Sequence, residues 1–214
     1  MNPATEHSLV AGPAGALECA LDRPAAGATD TGVLALLCHP HPLHGGTMDN
    51  KVVQTVARAL VQLGCTTVRF NFRGVGRSLG AWGGGEGEIE DAAAVLVAHR
   101  SAGQPLLLGG FSFGGFVATQ LAARLAAVEG QAARRLVLVA PAVVSFAAAP
   151  VPADTVMIHG EHDDVVPLQA VLDWARPQQL PVTVLPGAGH FFHGQLPALK
   201  QIVTRALSAQ LLQP

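Results

Sequence analysis

The sequence Gly-Phe-Ser-Phe-Gly at residues 110–114 separates an apolar, strand-like run at residues 105–110 from an amphipathic, helix-like run at residues 113–127. A G-x-S-x-G pentapeptide at a strand-to-helix turn holds its serine in a strained backbone conformation and points the hydroxyl out of the turn. Glycines two residues before and after the serine leave room for the neighbouring chain. The pattern predicts a nucleophilic Ser112 between a strand and a helix.

Because the chain contains 24 glycines, this spacing is weak support on its own, and the rest of the sequence has to agree with it. Apolar strand-like runs alternate with amphipathic helix-like runs along the chain. The strand-like runs are residues 16–21, 33–38, 66–72, 105–110, 136–140, 155–159 and 182–185. The helix-like runs are residues 50–63, 88–100, 113–127, 167–175 and 197–211. This alternation predicts an α/β fold with a mostly parallel central sheet and helices on both faces.

The composition fits one globular domain. Half of the 214 residues are apolar and the mean hydropathy is +0.37, as expected for a parallel sheet whose strands are buried on both faces. Nothing in the composition divides the chain, so we expect a single domain over residues 1–214. The chain has 13 Lys and Arg against 15 Asp and Glu, and no basic stripe is dense enough to follow a phosphate backbone. The sequence therefore argues against nucleic acid as a partner.

The cysteines and the N-terminus bear on the compartment. Cys19, Cys38 and Cys65 lack CxxC spacing and a secretory context, which favours buried thiols in a reducing cytoplasm over disulfides. Residues 1–7 show no positively charged segment followed by an apolar stretch, and no apolar run approaches the length of a membrane span. We therefore expect a soluble cytoplasmic protein without a membrane partner.

Polar and glycine-rich segments follow the predicted strands. In a parallel sheet, ligands bind at the carboxyl ends of the strands. The segments at these ends are residues 39–46, residues 71–78, Ser112, residues 160–164 and residues 187–190. These segments are therefore the candidates for a functional site.

Two of these segments supply the side chains that a serine nucleophile needs. A serine hydroxyl is a poor nucleophile at neutral pH, so a histidine has to take its proton and a carboxylate has to orient that histidine. The chain offers Ser112, Asp163 and His190 in this order. His190 lies in a glycine-rich loop after the last predicted strand, and Asp163 follows the preceding strand. The sequence therefore predicts a triad of these three residues.

Together these motifs resemble one known family. The resemblance is to the α/β-hydrolase fold family, extends over nearly the whole chain, and is carried by residues 110–114, 160–163, 166–167 and 189–190. Residues 39–50 and 71–78 are similar to those of small bacterial serine hydrolases related to dienelactone hydrolases. The resemblance implies an α/β-hydrolase fold and hydrolase chemistry on Ser112.

Two positions depart from the patterns of these families. The common hydrolase pattern reads Asp-x-Arg-Gly-x-Gly-x-Ser, and this chain has Asn71 in place of the aspartate, which we interpret as a structural difference. Dienelactone hydrolases carry cysteine at the position of Ser112. The serine implies ordinary ester substrates rather than that lactone.

The resemblance also ranks neighbouring candidates. The family pattern Gly-x-x-Asp-x-x-Val-Pro places the acid at Asp163 rather than at Asp164, and adjacent residues cannot both point at one imidazole. The Gly-x-Gly-His turn favours His190 over His193, which lies farther from the strand. The expected acid and base are therefore Asp163 and His190.

The family stabilises the reaction's oxyanion with two backbone N–H groups. One comes from the residue after the nucleophile, which is Phe113 here, and the other comes from the loop at residues 39–46. The two prolines of this loop have no N–H to donate, which leaves Leu43 or His41. Of these two we prefer Leu43.

Two motifs suggest cofactors, and both interpretations are disfavoured. His39, His41 and His44 would suit zinc, but no carboxylate or cysteine follows them until Asp49, and the rest of a metallohydrolase ligand set is missing. Residues 74–80 resemble a dinucleotide fingerprint, but their spacing is wrong by one residue and they follow the third strand-like run rather than the first. We expect a tight turn there, no metal and no organic cofactor.

The resemblance implies a serine hydrolase that cleaves carboxylic esters through an acyl-enzyme on Ser112, and an open, shallow, apolar site would favour short-chain esters. Residues 141–155, where the family commonly inserts a cap, are too few and too rich in alanine and proline for a helical lid. We therefore expect an open site with an exposed Ser112 that accepts a small-molecule ester. The expected apolar walls are Phe111, Phe113, Phe191, Phe192 and Trp82.

Two other functions use the same fold. An acyltransferase or thioesterase would form the same acyl-enzyme with the same triad. A non-catalytic hydrolase-fold binding protein is less favoured, because such a protein is expected to have a broken triad and this chain has all three members.

Overall fold

The computed structural model of the protein describes residues 5–211. Within this range eight strands form one sheet: β1 (Glu6–Gly12), β2 (Gly15–Asp22), β3 (Leu34–Cys38), β4 (Thr66–Phe70), β5 (Leu106–Phe111), β6 (Arg135–Val139), β7 (Val156–Gly160) and β8 (Thr183–Leu185). The α-helices of the same range are α1 (Lys51–Gln62), α2 (Glu86–His99), α3 (Phe113–Ala126), α4 (Leu168–Ala175) and α5 (Leu196–Leu211).

The strands lie in the order β1-β2-β4-β3-β5-β6-β7-β8. Strands β3 to β8 are parallel to one another, whereas β2 pairs with β4 and β1 pairs with β2 in the antiparallel direction. The prediction of an α/β fold with a mostly parallel central sheet is confirmed. The carboxyl ends of β3 to β8 therefore meet at one edge of the sheet.

Strand β1 is missing from the sequence prediction. Most of its residues are exposed, so the strand shows neither an apolar run nor an alternation with one buried face. It forms a hairpin with β2 in which Gly12 pairs with Gly15. Of its side chains Val10 packs against the core, and the strand is otherwise held by backbone pairing, which a hydrophobicity pattern does not report.

The central strands bury side chains on both faces of the sheet. On one face, Leu36 and Leu108 belong to an apolar cluster that includes residues of α2 and α3. On the other face, Leu37 and Leu107 belong to a second cluster that includes residues of α1 and α5. Because helices cover both faces, each central strand reads as an unbroken apolar run.

The five predicted helices are confirmed within two residues at each end. Helix α1 begins after Asn50, whose Oδ1 accepts a hydrogen bond from the Val52 N–H at 2.9 Å. Such a cap satisfies one of the N–H groups that the first turn of a helix leaves without a partner. Within residues 5–211, no helix is long and apolar enough to cross a membrane.

The side chain of Asn71 ties the segment after β4 to β2. Its Nδ2 donates to Glu18 Oε2 at 2.8 Å, and its Oδ1 accepts from the Met48 N–H at 2.8 Å. A charged aspartate at this position would have no donor for Glu18 and would place a second negative charge beside it. The asparagine therefore joins β2 to the loop before α1, which is a structural role.

Residues 74–80 form tight turns. The Gly74 N–H donates to Leu79 O at 3.2 Å, and the Ser78 N–H donates to Val75 O at 2.9 Å. A dinucleotide fingerprint opens directly into a helix, whereas α2 begins only at Glu86. The prediction of a turn is confirmed.

Candidate active site

The backbone turns sharply at Ser112, between the end of β5 and the start of α3. Its φ is 55° and its ψ is −120°, which L-residues rarely adopt. The Ser112 N–H donates to Val139 O at 3.0 Å, and Ser112 O accepts from the Ala142 N–H at 3.0 Å. Hydrogen bonds from the end of β6 and the residues after it therefore hold the strained turn.

The glycines on either side of Ser112 are required by close approach of the backbone. A Cβ at Gly110 would lie 2.0 Å from Gly114 O, and a Cβ at Gly114 would lie 2.1 Å from Cys38 O. Real Cβ atoms do not approach oxygen so closely. The G-x-S-x-G pattern therefore has the steric cause that the sequence predicts.

The structure brings Ser112, His190 and Asp163 into one hydrogen-bonded chain. His190 Nδ1 lies 2.7 Å from Asp163 Oδ2, and His190 Nε2 lies 3.0 Å from Ser112 Oγ. An ionised carboxylate only accepts hydrogen bonds, so Nδ1 carries the ring proton and donates it. Nε2 is then the acceptor for the Ser112 hydroxyl.

The Asp163 carboxylate is held by the turn that follows β7. Its Oδ1 accepts from the Val165 N–H at 3.0 Å and from the Val166 N–H at 2.7 Å. Burial alone would raise the pKa of Asp163, but the hydrogen bonds from His190 and Val166 more than offset this, and the pKa lies below its ordinary value. The carboxylate is therefore charged at neutral pH.

His159 lies beneath Asp163, and the sequence interpretation overlooked it. Its Nε2 donates to Val166 O at 2.9 Å and lies 3.5 Å from Asp163 Oδ2. Burial lowers the pKa of His159, so the ring is neutral at neutral pH. The available signal was a histidine at the end of the apolar run of residues 156–158.

The rival acid and base candidates lie elsewhere. Asp164 and His193 are exposed, whereas Asp163 and His190 are buried. The ring of His193 lies 5.9 Å from that of Phe191, at the outer side of the loop. The structure thus brings together the two residues that the sequence preferred.

His39 is a structural residue. Its Nδ1 donates to Pro40 O at 2.6 Å and its Nε2 accepts from the Phe72 N–H at 3.0 Å. Burial lowers its pKa to about 3. Both ring nitrogens are occupied, which leaves none for a metal ion. Over residues 5–211, no group of three His, Cys, Asp or Glu side chains is placed to hold a metal ion.

The candidate oxyanion donors differ in what their N–H groups contact. The Leu43 N–H donates to His41 Nδ1 at 3.2 Å, inside the 3₁₀ turn Pro42–His44. In the described part of the chain, neither the His41 N–H nor the Phe113 N–H has a hydrogen-bond acceptor. The geometry therefore favours His41 over Leu43 as the second donor.

The accessibility of Ser112 departs from the expectation. The residue is 7% exposed, so the expectation of an exposed nucleophile is wrong. Residues 141–155 contain no helix, as expected, but Phe146 within them packs against Phe113 at a ring distance of 4.9 Å. His190 covers Ser112 from the other side. The site therefore lacks a helical lid, yet Ser112 itself is buried.

Known proteins share this fold and sequence. The sequence model of the family described as "Serine aminopeptidase, S33" matches residues 41–153, which include Ser112. XC6422 from Xanthomonas campestris, described as a member of a/b serine hydrolase without lid, is 36% identical with a TM-score of 0.90, over 100% of this chain and 98% of that one. An alpha-beta serine hydrolase homologue from Coxiella burnetii is 41% identical with a TM-score of 0.83, over 94% of this chain and 97% of that one. The uncharacterized protein RP471 of Rickettsia prowazekii is 35% identical in an alignment of 198 residues that covers 85% of this chain and 79% of that one.

The chain belongs to the α/β-hydrolase family. Its relatives at 35 to 41% identity include serine hydrolases, one of which has the same lidless fold over its whole length. The narrower resemblance to dienelactone hydrolases stays a prediction from residues 39–50 and 71–78.

Proposed function

We propose that the protein is a serine esterase that hydrolyses short-chain carboxylic esters through an acyl-enzyme on Ser112. The observation that carries this proposal is the hydrogen-bonded chain from Ser112 through His190 to Asp163, with distances of 3.0 Å and 2.7 Å. The first member of this chain, Ser112, has a strained backbone conformation. Strained residues that the surrounding structure holds in place cluster at active sites.

In the proposed reaction, His190 Nε2 takes the hydroxyl proton of Ser112 while Oγ attacks the carbonyl carbon of the ester. The tetrahedral intermediate then breaks its bond to the alcohol oxygen, which receives the proton from His190. The acyl group stays on Oγ. A water molecule gives its proton to His190, attacks the acyl carbon, and releases the carboxylic acid as the proton returns to Oγ.

The role proposed for Asp163 is to orient and stabilise the imidazolium. The hydrogen bond at 2.7 Å keeps the proton of the neutral ring on Nδ1, which leaves Nε2 free to act as a base. The lowered pKa of Asp163 keeps the carboxylate charged while His190 is protonated. The attraction between the two charges then stabilises the intermediate.

The N–H groups of Phe113 and His41 are the proposed oxyanion donors. Phe113 is the first residue of α3, where free N–H groups and the positive end of the helix dipole favour negative charge. Leu43 is replaced in this proposal because its N–H is directed at His41 Nδ1. Each donor typically contributes about 3 kcal/mol to stabilisation of the transition state.

Short substrates are proposed because of the shape of the site. Ser112 is only 7% exposed, so an ester has to bring its carbonyl carbon to a buried residue. The chain between β6 and β7 forms no helical lid whose apolar surface would cover a long acyl chain. Both features favour small esters over lipids.

The test is a series of p-nitrophenyl esters from acetate to laurate, with Ser112→Ala as the main variant. We expect kcat/KM to be highest for acetate and butyrate, and kcat to fall between about 10³-fold and 10⁶-fold in Ser112→Ala. A fluorophosphonate probe should label the wild type and not this variant. Ser101→Ala, at an exposed serine before β5, is the matched control and should keep both activity and labelling.

Retained turnover or labelling in Ser112→Ala would contradict the proposal. Because the matching family is described as a serine aminopeptidase, an amide substrate is tested as well. If alanine p-nitroanilide were cleaved faster than the esters, the substrate would be a peptide and not an ester. If added alcohols or thiols captured the acyl group in place of water, or if acyl thioesters reacted faster than oxygen esters, the acyltransferase or thioesterase alternative would hold.

A further inference from the structure

A cluster of aromatic rings includes that of Phe113, the residue after the nucleophile, and takes no part in the triad. The ring centroid of His41 lies 4.5 Å from that of Trp82, 5.1 Å from Phe113 and 5.8 Å from Phe146. Phe113 also lies 5.2 Å from Trp82 and 4.9 Å from Phe146. We call these four side chains the aromatic wall.

The aromatic wall reaches from the nucleophile to the surface. Phe113 directly follows Ser112 and is 1% exposed, so it forms the base. His41, Trp82 and Phe146 are half-buried and come from three different segments, which follow β3, β4 and β6. Three loops therefore place partly open ring surfaces around one buried ring next to Ser112.

The segment that carries Trp82 is held rigidly. The carboxylate of Glu88 is fully buried and accepts hydrogen bonds from the Gly83 N–H and the Gly85 N–H, each at 2.8 Å. These bonds anchor the chain directly after Trp82 to the first turn of α2. The ring is thus positioned before a ligand arrives, which lowers the entropy cost of binding.

The aromatic wall carries no charge at neutral pH. Burial lowers the pKa of His41, and the neighbouring His44 lowers it further, so the His41 imidazole is neutral. Uncharged ring faces and edges pack well against a flat apolar ring in offset or edge-to-face geometry.

Ser112 separates the aromatic wall from the side of the site that holds His190. The side chains of Phe111 and Phe113 belong to apolar clusters on opposite faces of the sheet. Phe111 lies 4.9 Å from the His190 ring and 5.9 Å from Phe191. The alcohol oxygen of an ester has to reach His190 Nε2 to be protonated, so the alcohol part points toward Phe191. The acyl part is left facing the aromatic wall.

We infer that the aromatic wall binds a flat aromatic ring in the acyl part of the substrate, so that the protein prefers arylalkanoyl esters to saturated esters of the same size. This inference rests on the proposed esterase function. It specifies which half of the ester is recognised and by which side chains.

The test compares methyl phenylacetate with methyl cyclohexylacetate, which differ in the flatness of one ring on the acyl side. We expect kcat/KM to be roughly three- to tenfold higher for the aromatic ester, the size of an aromatic pair contact. The alcohol-side pair, benzyl acetate and cyclohexylmethyl acetate, should differ by less than about twofold because the alcohol points away from the aromatic wall.

We call kcat/KM for methyl phenylacetate divided by kcat/KM for methyl cyclohexylacetate the acyl-side ratio. Trp82→Leu keeps an apolar side chain but removes a flat ring, and it should bring this ratio close to one. Phe191→Leu is the matched control on the opposite side, and it should keep the ratio whatever it does to the absolute rate. Phe146→Leu repeats the test if Trp82→Leu does not fold.

An acyl-side ratio of one in the wild type, or a ratio that survives both wall variants, would overturn the inference. A preference that appears only on the alcohol side would overturn it as well. These results differ from failure of the proposed function, in which the wild type would not hydrolyse any of the four esters or p-nitrophenyl acetate.

Discussion

Two buried histidines follow strands at the same edge of the sheet and use both ring nitrogens, yet their partners differ in chemistry. His39 is bonded to the backbone groups of Pro40 and Phe72, at 2.6 Å and 3.0 Å. His190 lies between the Asp163 carboxylate and the Ser112 hydroxyl, at 2.7 Å and 3.0 Å. Backbone amides do not exchange protons in a reaction, whereas a hydroxyl beside a base does. Burial is common to both histidines, so the partners distinguish them.

The comparison extends to the loops that carry the two residues. His39 anchors the loop at residues 39–46 to the segment after β4 and thereby fixes the place of His41 against Phe113. The loop of His190 brings the imidazole itself to Ser112. His39 thus holds a loop of the site in place, and His190 would act in the reaction.

The same substitution at both histidines gives the largest expected contrast. His190→Gln removes the proposed base, and kcat on p-nitrophenyl acetate should fall between about 10³-fold and 10⁶-fold. His39→Gln keeps one donor and one acceptor for Pro40 and Phe72, so kcat should fall less than about tenfold, which is 1.4 kcal/mol or less in the barrier. Steady-state kinetics with circular dichroism of each folded variant decides this. Similar losses in both variants would break the comparison.

The partner of His190 can be altered in the same way. Asp163→Asn keeps the shape of the side chain but no longer stabilises the imidazolium or the required tautomer, and kcat should fall by about 10⁴-fold. Asp164→Asn is the matched control at the adjacent exposed residue, and its kcat should stay within about twofold. If Asp164→Asn were the damaging change, the assignment of the acid would be wrong.

The burial of His39 also makes the stability of the protein depend on pH. The folded-state pKa of His39, about 3, lies below its ordinary value, so the unfolded chain binds a proton more readily than the folded chain. The stabilisation is complete above about pH 6.5 and is lost as the pH falls toward 3, at up to about 1.4 kcal/mol per pH unit. Between pH 6.5 and 4, the free energy of unfolding should fall by about 3 kcal/mol more in the wild type than in His39→Gln. Urea unfolding at several pH values measures the free energy of unfolding of both proteins. If it fell equally with pH in the wild type and in His39→Gln, the prediction would be wrong.

A smaller effect is expected at Asn71, whose Oδ1 accepts from the Met48 N–H in the segment just before α1. Asn71→Asp replaces the donor to Glu18 with a second carboxylate, and unfolding free energy at neutral pH should fall by about 1–3 kcal/mol. The double variant Asn71→Asp with Glu18→Gln restores a donor and removes the repulsion, so it should recover part of the loss. Thermal unfolding of Asn71→Asp, Glu18→Gln and the double variant tests this. If the losses of the two single variants simply added in the double variant, the contact between residues 71 and 18 would not be the cause of the loss.

Much of the fold was predictable because its central strands and helices carry strong local patterns. The runs that became β3 to β7 are mostly apolar because helices cover both faces of the sheet, and the runs that became α1 to α5 are amphipathic because one face of each packs on the sheet. Strand β1 was missed because its residues are mostly exposed. Its place depends on pairing with β2, which is a contact between backbones and leaves no mark in hydrophobicity.

The candidate site was predictable in part. The order of Ser112, Asp163 and His190 along the chain, with the resemblance to hydrolases, was enough to select the three residues that the structure brings together. The sequence did not single out His159, whose polar ring lies within an apolar strand and contacts Asp163 only after folding. The sequence also led us to prefer Leu43 to His41 as the second donor, whereas the geometry favours His41. The direction of an N–H depends on how the loop folds, which the sequence does not show.

The pentapeptide at residues 110–114 is enough to predict the turn at Ser112. Gly110 is required within the turn itself, because a Cβ there would lie 2.0 Å from Gly114 O, whereas Gly114 is required by Cys38 O, which the packing of β3 brings close. Three properties follow only from the folded structure: the 7% exposure of Ser112, the anchoring role of His39, and the place of Phe113 at the base of an aromatic wall built from three loops. These properties depend on distances between segments far apart in the chain, which only packing of the sheet and its loops establishes.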